Sequence, residues 1–536
     1  MPIETIAAQA QIGFPILSFT LLLPLVAALL IGFVRDTRAA RQIAVGASLA
    51  VLALTLVVTA SFDAGSAHLQ FVETLQWLPS MGIGYRLGVD GLSILFLPLT
   101  AVVFTAVFAA AAEVKVYGRA FLIHLLLLEA STIGIYTSID LMLFFCFFEL
   151  ALVPSFWLIK AWGLGPDRQA AAAKYLVYML LGSLPLMIGF ILLALNHATV
   201  DQAAGGAGRL SFDLVALLKT PVPAELQTVV FVLIGIGFAV KGPALPFHTW
   251  MPSAVTEGPI GVGVYLVGLK LGAYGFLRFV LPLTPDASRE FAGVVIAVEL
   301  FAILYGGLIA LTQFNLRRLI VFASVSHFGL IMVAAFSMNA QAWQGALLLM
   351  VNAGLATAGL FLVAGFLQRR LGSTDLMALG GLARKVPQLA TLCFIAGLAL
   401  IGVPGTSGFG GELLAMSGAY QAHWAYGAIA AIGVVLSAGY FLWFYQRAFM
   451  GPVRNAAAER IGDLGGGEKV VAVGLIVLIF AIGLFPRPLT RLTEASVVAF
   501  TTHVQAGRPA GGIESPELSS VSPAKTMAAS QVDAGR

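Results

Sequence analysis

Long apolar runs separated by short polar loops recur along most of the chain. Runs of about 20 apolar residues, the length that crosses a bilayer as a helix, occupy 14–34, 43–61, 88–111, 120–138, 139–159, 172–195, 227–252, 259–282, 290–312, 318–337, 342–367, 388–420, 424–448 and 469–486. This pattern predicts an all-α polytopic membrane protein with about 14 transmembrane helices. Two of the longest runs are interrupted: the first by Gly242, Pro243 and Pro246, the second by GVPGTSGFGGE from Gly402 to Glu412. A proline inside a helix removes one backbone hydrogen bond and clashes with the preceding turn, so both helices should break at membrane depth. The breaks lie five spans apart, and paired broken helices at corresponding positions point to an inverted repeat. Two inverted five-helix repeats, 119–282 and 283–449, each containing a broken helix, are therefore expected. Three helices in 1–118 precede them and one in 450–490 follows. The last segment, 491–536, is polar and rich in Ser, Ala, Gly and Pro; it is expected to be disordered, without catalytic content from Gly507 onward.

Composition narrows the function classes. With 59% hydrophobic and only 10% charged residues among 536, the chain is not a string of soluble domains. Its net charge of +4 comes from loops, with no basic patch for nucleic acid. Alternate loops differ in charge. One side collects Arg35, Arg38, Arg41, Lys160, Arg317, Arg318, Arg369 and Arg370, whereas the other has little beyond Arg86, Arg209, Lys219 and Arg289. The positive-inside rule places the first side in the cytoplasm and both termini outside, in the periplasm if the membrane is a bacterial inner membrane. The first apolar run is a full span and not a cleavable signal. Cys146 and Cys393 lie in apolar spans without metal-ligand spacing and read as small core hydrophobes.

Candidate chemistry lies at the ionisable residues inside spans. Lys241 and Lys270 stand deep in apolar runs, where a lysine costs about 2.5–3.5 kcal/mol on insertion scales, and the default reason for such a residue is ion movement. Lys241 should sit at a hydrated break, since freed backbone groups at membrane depth need protein or a water-filled cavity. Glu149, in LMLFFCFFELALVP, must be paired, hydrated or protonated, and one of the two lysines is its expected partner. Such a pair can switch, because a proton arriving at one group can release its partner; a purely structural buried pair is the alternative. Glu412 follows the second break and is a candidate terminal group on an exit route. His248 and His327 could relay protons or simply be hydrogen-bonded. Asp90 could hold a helix end or move a proton, and Glu129 is a further intramembrane carboxylate. There is no phosphate-binding loop and no cysteine cluster. No cofactor is therefore expected in this chain, and its work must be driven by an ion gradient or by another subunit.

Five ordered motifs, FFELALVPSFWLIKAWG, VKGPALPFHTWMPSAVTEGP, LKLGAYGFLRF, RRLIVFASVSHFGLIM and GVPGTSGFGGELL, resemble the proton-channel membrane subunits of complex I, bacterial NADH:quinone oxidoreductase, and the wider family of complex I and Mrp-antiporter subunits. The likeness covers roughly Leu87 to Phe449. It implies that Glu149 and Lys241 form an input pair, Lys270 a central relay and Glu412 an exit group. It also implies partners: other membrane subunits of a complex I-like assembly, with NADH, FMN, iron–sulfur clusters and quinone held elsewhere in it. The family fold has 14 helices with two inverted five-helix repeats. The sequence departs from the family pattern at Asn315 and Arg317, at Ser253 and Val255, and at Ala353, where a central histidine is expected. The interval from Pro259 to Lys270 is also about two residues short, which could turn Lys270 by half a turn. Without the histidine, a relay from Lys270 toward Glu412 would lean on water or on Thr406 and Ser407. Two other readings stay open: an Mrp-type cation/proton antiporter or carbon-uptake subunit without redox partners, and a scaffold that has lost conduction.

Overall fold

Twelve helices of the computed structural model, which describes residues 4–110, 118–453 and 456–506, are long and apolar enough to cross a membrane. Two shorter apolar helices, Phe96–Ala110 and Pro387–Leu400, fall where the expected third and twelfth spans lie. The outer helices turn large apolar side chains outward: Leu29, Phe301, Leu308, Val435 and Val470 are all more than half exposed. In water such a surface would aggregate; against acyl chains it is the solvated face. The chain is thus an integral membrane protein.

The centre is the Ala340–Leu371 helix, buried along its entire apolar stretch. It packs against Phe96–Ala110, Ile260–Gly268, Leu316–Phe336, Pro387–Leu400 and Ser407–Ala422. Small residues make so many close neighbours possible, as they do in membrane bundles generally. At Gly345 a methyl group would come within 2.2 Å of the Ala415 backbone nitrogen, and at Gly359 within 2.8 Å of Ala396 Cβ.

Both expected breaks are present. The Ala224–Lys241 helix ends at Gly242, and the chain re-enters helix at Trp250–Glu257 after a turn through Phe247–Thr249. Pro387–Leu400 stops at Ile401, and Ser407–Ala422 starts afresh. A third interruption was not expected. The span from Ile260 to Leu283 loses helical geometry at Leu269 and Lys270, resumes over Leu271–Gly275, and then widens into a π-helical turn at Phe276–Val280. π-turns are rare and concentrate at functional sites.

Four expectations need correction. The all-α reading misses a three-stranded sheet, in which Thr5–Ala7 pairs in parallel with Leu69–Leu78, and Leu69–Leu78 pairs antiparallel with Ile83–Val89. Gly82, at φ +70°, makes the tight turn between the last two strands, a conformation open to glycine. The span drawn at 88–111 therefore becomes helix only at Phe96. Its first residues finish the strand and then turn at Asp90, whose carboxylate accepts the Leu92 amide at 3.0 Å. Cys146 is exposed on the outer face of its helix, whereas Cys393 is buried. Finally, the segment 491–536 does not begin as a disordered tail: Arg487–Ala506 is a helix. Its Thr493, Val497, Phe500 and Val504, spaced three and four apart, are buried against the bundle, the signature of an amphipathic helix lying on a surface. Residues 507–536 lie outside the described residues.

Replacing Gly345 by valine should force the central helix away from Ser407–Ala422. The expected loss is about 1–3 kcal/mol, typical of overpacking, read as a lower thermal unfolding midpoint of the detergent-solubilised protein. An unchanged midpoint would show that the contact is not tight.

Candidate functional site

Lys241 is the last residue of its helix, is 8% exposed, and holds its Nζ 4.4 Å from the centre of the Phe148 ring. That placement supplies a cation–π contact where water is scarce. The next residue after Phe148 is Glu149, half-buried on the Leu141–Leu150 helix and within electrostatic reach of Lys241 and of the Ser183 hydroxyl. Glu149 and Lys241 do not form a direct ion pair among the described residues. A proton exchanged between them therefore needs a carrier or a shift of side chains.

Lys270 stands at the third interruption. Its ammonium donates to the Ser324 hydroxyl and lies 3.5 Å from the Ser324 carbonyl oxygen. His327, three residues along the same helix, is within electrostatic reach, and its Nε2 has no hydrogen-bond partner among the described residues. Lys241 and Lys270 both line a cavity of about 20 Å³, together with Gly242, Tyr265 and Leu269. That volume admits about one water. With this shortened interval, Lys270 still lines the cavity, and its ammonium reaches the Ser324 hydroxyl.

Glu412 occupies the other arm of the fold, and the central helix packs on both Ile260–Gly268 and Ser407–Ala422. It is 3% exposed and its carboxylate lies against Gly402, where a methyl group would come within 1.9 Å of Oε2. Gly402 also has φ +65°, so the turn needs glycine for two reasons. The Tyr440 hydroxyl, without a hydrogen-bond partner among the described residues, lies within electrostatic reach. Of the two hydroxyls proposed as relays, Thr406 donates to its own turn at Val403 O, 2.7 Å. Ser407 reaches out to Asn352 Oδ1, also at 2.7 Å. Asn352 in turn donates to Ala399 O at 3.0 Å, so this one side chain ties both halves of the broken helix to the central helix.

The remaining candidates are placed as follows. His248 binds the Tyr305 hydroxyl through Nε2 at 3.2 Å, and its Nδ1 has no partner among the described residues. Glu129 faces the N-terminal helices: Ser48 donates to its Oε1 at 2.7 Å, whereas Oε2 has no partner among the described residues. Asp90 holds the turn after the sheet and also pairs with Arg278, both side chains being 1% exposed. Arg317 donates to the carbonyls of Val255 and Gly258, satisfying the end of the Trp250–Glu257 helix. Sequence reading missed Glu299 and Asn352. Glu299 is buried, its Oε2 without a partner among the described residues, and its isolation within VVIAVELFAIL is the same signal that singled out Glu149. Asn352 carried no signal, since its role depends on two backbone segments remote in sequence. Among the described residues no three His, Cys, Asp or Glu side chains gather to hold a metal.

Comparison with known proteins gives a consistent neighbourhood. Residues 138–437 match the family described as NADH:quinone oxidoreductase/Mrp antiporter, TM. The NADH-quinone oxidoreductase subunit M of Rickettsia prowazekii (strain Madrid E) is 37% identical over 497 residues, covering 91% of this chain and 99% of that protein. The NADH-ubiquinone oxidoreductase chain 4 of Arabidopsis thaliana is 33% identical and covers 91% and 97%. A chain of the respiratory complex I from Thermus thermophilus with bound NADH superposes with a TM-score of 0.81 at 30% identity, covering 91% of this chain and 99% of that one. A chain of the Mrp complex from Dietzia sp. DQ12-45-1b reaches 0.77 at 22% identity, covering 92% and 98%, which shows a shared fold.

Removing one partner of a buried ion pair strands the other charge. Asp90→Ala should therefore destabilise the protein by about 3–5 kcal/mol, measured by thermal unfolding in detergent. Asp90→Ala with Arg278→Leu should recover much of that loss, and failure of the second change to help would show that the pair is not the source.

Proposed function

The chain belongs to the NADH:quinone oxidoreductase/Mrp antiporter transmembrane family, and from that premise we propose that it is a proton-translocating membrane subunit of a complex I-type NADH:quinone oxidoreductase. Electron transfer from NADH to quinone proceeds in partner subunits, which hold the NADH, FMN, iron–sulfur and quinone sites, and drives proton movement through this one. The observation that carries the reading is that Lys241 and Lys270 both line one cavity sized for one water, with Glu149 within electrostatic reach of Lys241. End-to-end likeness to subunit M proteins supports the redox assembly over an antiporter working alone. We place the chain in a bacterial inner membrane with both termini periplasmic, and assign it 14 spans with inverted repeats over 119–282 and 283–449.

The mechanism follows from the cost of buried charge. With Glu149 ionised, Lys241 is stabilised as an ammonium. When Glu149 takes a proton or moves away, the ammonium loses its counter-charge and its proton passes through the cavity to Lys270. Among the described residues the direct partners of Lys270 are the Ser324 hydroxyl and carbonyl, with no carboxylate, so a proton resting there is readily passed on. In the second half the groups in reach of the route are His327, Ser407 with Asn352, and Glu412 as the exit carboxylate. A polar cavity of about 360 Å³ lined by Asp167, Lys174, Ser253, Glu257 and Arg318, on the side rich in basic loops, is the entry we assign to water in the first half.

Affinity purification in mild detergent should recover NADH-oxidising, iron–sulfur subunits with this chain, along with NADH:quinone activity. Recovery without any redox subunit would favour the antiporter or uptake reading. In sealed vesicles, Lys241→Ala and Glu149→Gln should each leave the complex assembled and cut NADH-driven proton translocation by about 10²-fold or more, the scale of losing a positioned proton-transfer group. Pumping at the wild-type rate by both variants would leave the scaffold reading standing.

A further inference from the structure

One face of the Leu316–Phe336 helix runs along the two-lysine site. Arg317, Ser324 and Phe328 are spaced seven and four apart, which places them on one side of that helix. Each meets a different part of the interrupted spans. Arg317, 3% exposed, donates through Nη2 to the carbonyls of both Val255 and Gly258, at the junction between the Trp250–Glu257 and Ile260–Gly268 helices. Ser324 accepts the Lys270 ammonium on its hydroxyl, and its carbonyl oxygen lies 3.5 Å from Nζ. Phe328 packs at the break after Lys241, where a methyl group added at Gly242 would come within 2.5 Å of its ring. The same helix packs on Trp250–Glu257 and on Leu271–Gly275, the pieces that flank Ile260–Gly268.

The Ile260–Gly268 helix is thus held to this face near both of its ends. Arg317 and Ser324 stand about 10.5 Å apart along their own helix, at 1.5 Å per residue. The nine residues of Ile260–Gly268 rise about 13.5 Å, so one short, stiff helix spans the two anchors. Beyond it the chain turns. Lys270 has φ −56° and ψ 56°, and the Leu271 amide donates back to Leu269 O at 2.5 Å, an inverse γ-turn centred on the lysine. A residue at such a corner is not carried on by a straight helix, so its place depends on what holds the helix leading to it. The junction at the near end is also held from the first half: the Glu257 carbonyl accepts the Leu164 and Gly165 amides at 2.7 and 3.2 Å, and its carboxylate accepts the Asp167 amide at 3.0 Å. Arg317 brings this same junction to the helix that carries Ser324.

Resting on the proton-translocating reading above, we infer that Arg317 is a positioning residue for proton transfer through Lys270. By fixing the start of the Ile260–Gly268 helix against the Leu316–Phe336 helix, it sets the meeting of Lys270 with Ser324 at the far end. A guanidinium keeps its proton in proteins, so Arg317 holds backbone and relays nothing itself. Without it the Val255 and Gly258 carbonyls lose their donor, the helix start shifts, and Lys270 moves off Ser324.

The test uses sealed vesicles and the rate of NADH-driven proton translocation per assembled complex, so that lost assembly is not counted as lost pumping. Arg317→Leu should lower that rate about tenfold or more, within the ~10²-fold that an ångström of misplacement can cost. Arg317→Lys, which keeps a cationic donor, should restore most of it. Ser324→Ala should also pump slowly, and Arg317→Leu combined with Ser324→Ala should be no slower than the slower single variant, because both changes break one contact. A wild-type rate in Arg317→Leu, no gain in Arg317→Lys over Arg317→Leu, or a double variant in which the two losses multiply overturns the positioning role. If Arg317→Leu fails to assemble, Arg317→Gln, a donor of shorter reach, takes its place in the same cycle. Each of those outcomes alongside a blocked Lys241→Ala leaves the functional reading intact. Wild-type pumping by Lys241→Ala would instead overturn the reading on which the inference rests.

Discussion

An ammonium group held at mid-bilayer depth needs either a counter-charge or a dipole within reach, and the architecture of this protein follows from meeting that need twice. Lys241 has the Phe148 ring at 4.4 Å and Glu149 nearby, while Lys270 has the hydroxyl and carbonyl of Ser324. Both lysines stand at interruptions in their helices, and between them lies room for about one water. A continuous helix would have pointed each lysine at whatever its face met. The interruptions let the two share one cavity.

The second arm solves a related problem without a cation. Glu412 is packed against a turn that only glycine can make at position 402, and the two halves of that broken helix are tied to the central helix through one amide side chain, Asn352. The histidine that the family resemblance leads one to expect at the neighbouring position is replaced by Ala353. Asn352 and Ser407 do not copy histidine chemistry, but they hold the turn in which Glu412 sits. Charge placed in the first half and a mechanically fixed carboxyl in the second give the chain an asymmetry that a plain repeat would lack.

The outward side of the first half is closed by elements that carry little hydrophobic signal. The hairpin of Leu69–Leu78 and Ile83–Val89 leads directly into the Asp90 turn, and the Arg487–Ala506 helix covers that turn through Ser496 and Phe500. Residues some four hundred positions apart thus bury one ion pair. A pair so enclosed persists because each charge satisfies the other.

What was legible in the sequence was whatever depends on hydropathy and on backbone chemistry. The positions of the spans, the breaks after Lys241 and Leu400, and the isolated ionisable residues Glu149, Lys241, Lys270 and Glu412 all follow from transfer costs and from proline and glycine geometry, which act locally. The short strands and the amphipathic last helix escaped because their apolar residues alternate with polar ones and never sum to a span. Only tertiary structure decided which buried groups meet: that Lys241 and Lys270 share a cavity, that Glu129 turns to Ser48, that Asn352 spans two segments, and that Asp90 pairs with Arg278. Side-chain direction depends on how helices rotate against one another, and that rotation is settled by close packing at sites such as Gly345 and Gly402. Apolar periodicity leaves it open, because these spans are apolar on nearly every face.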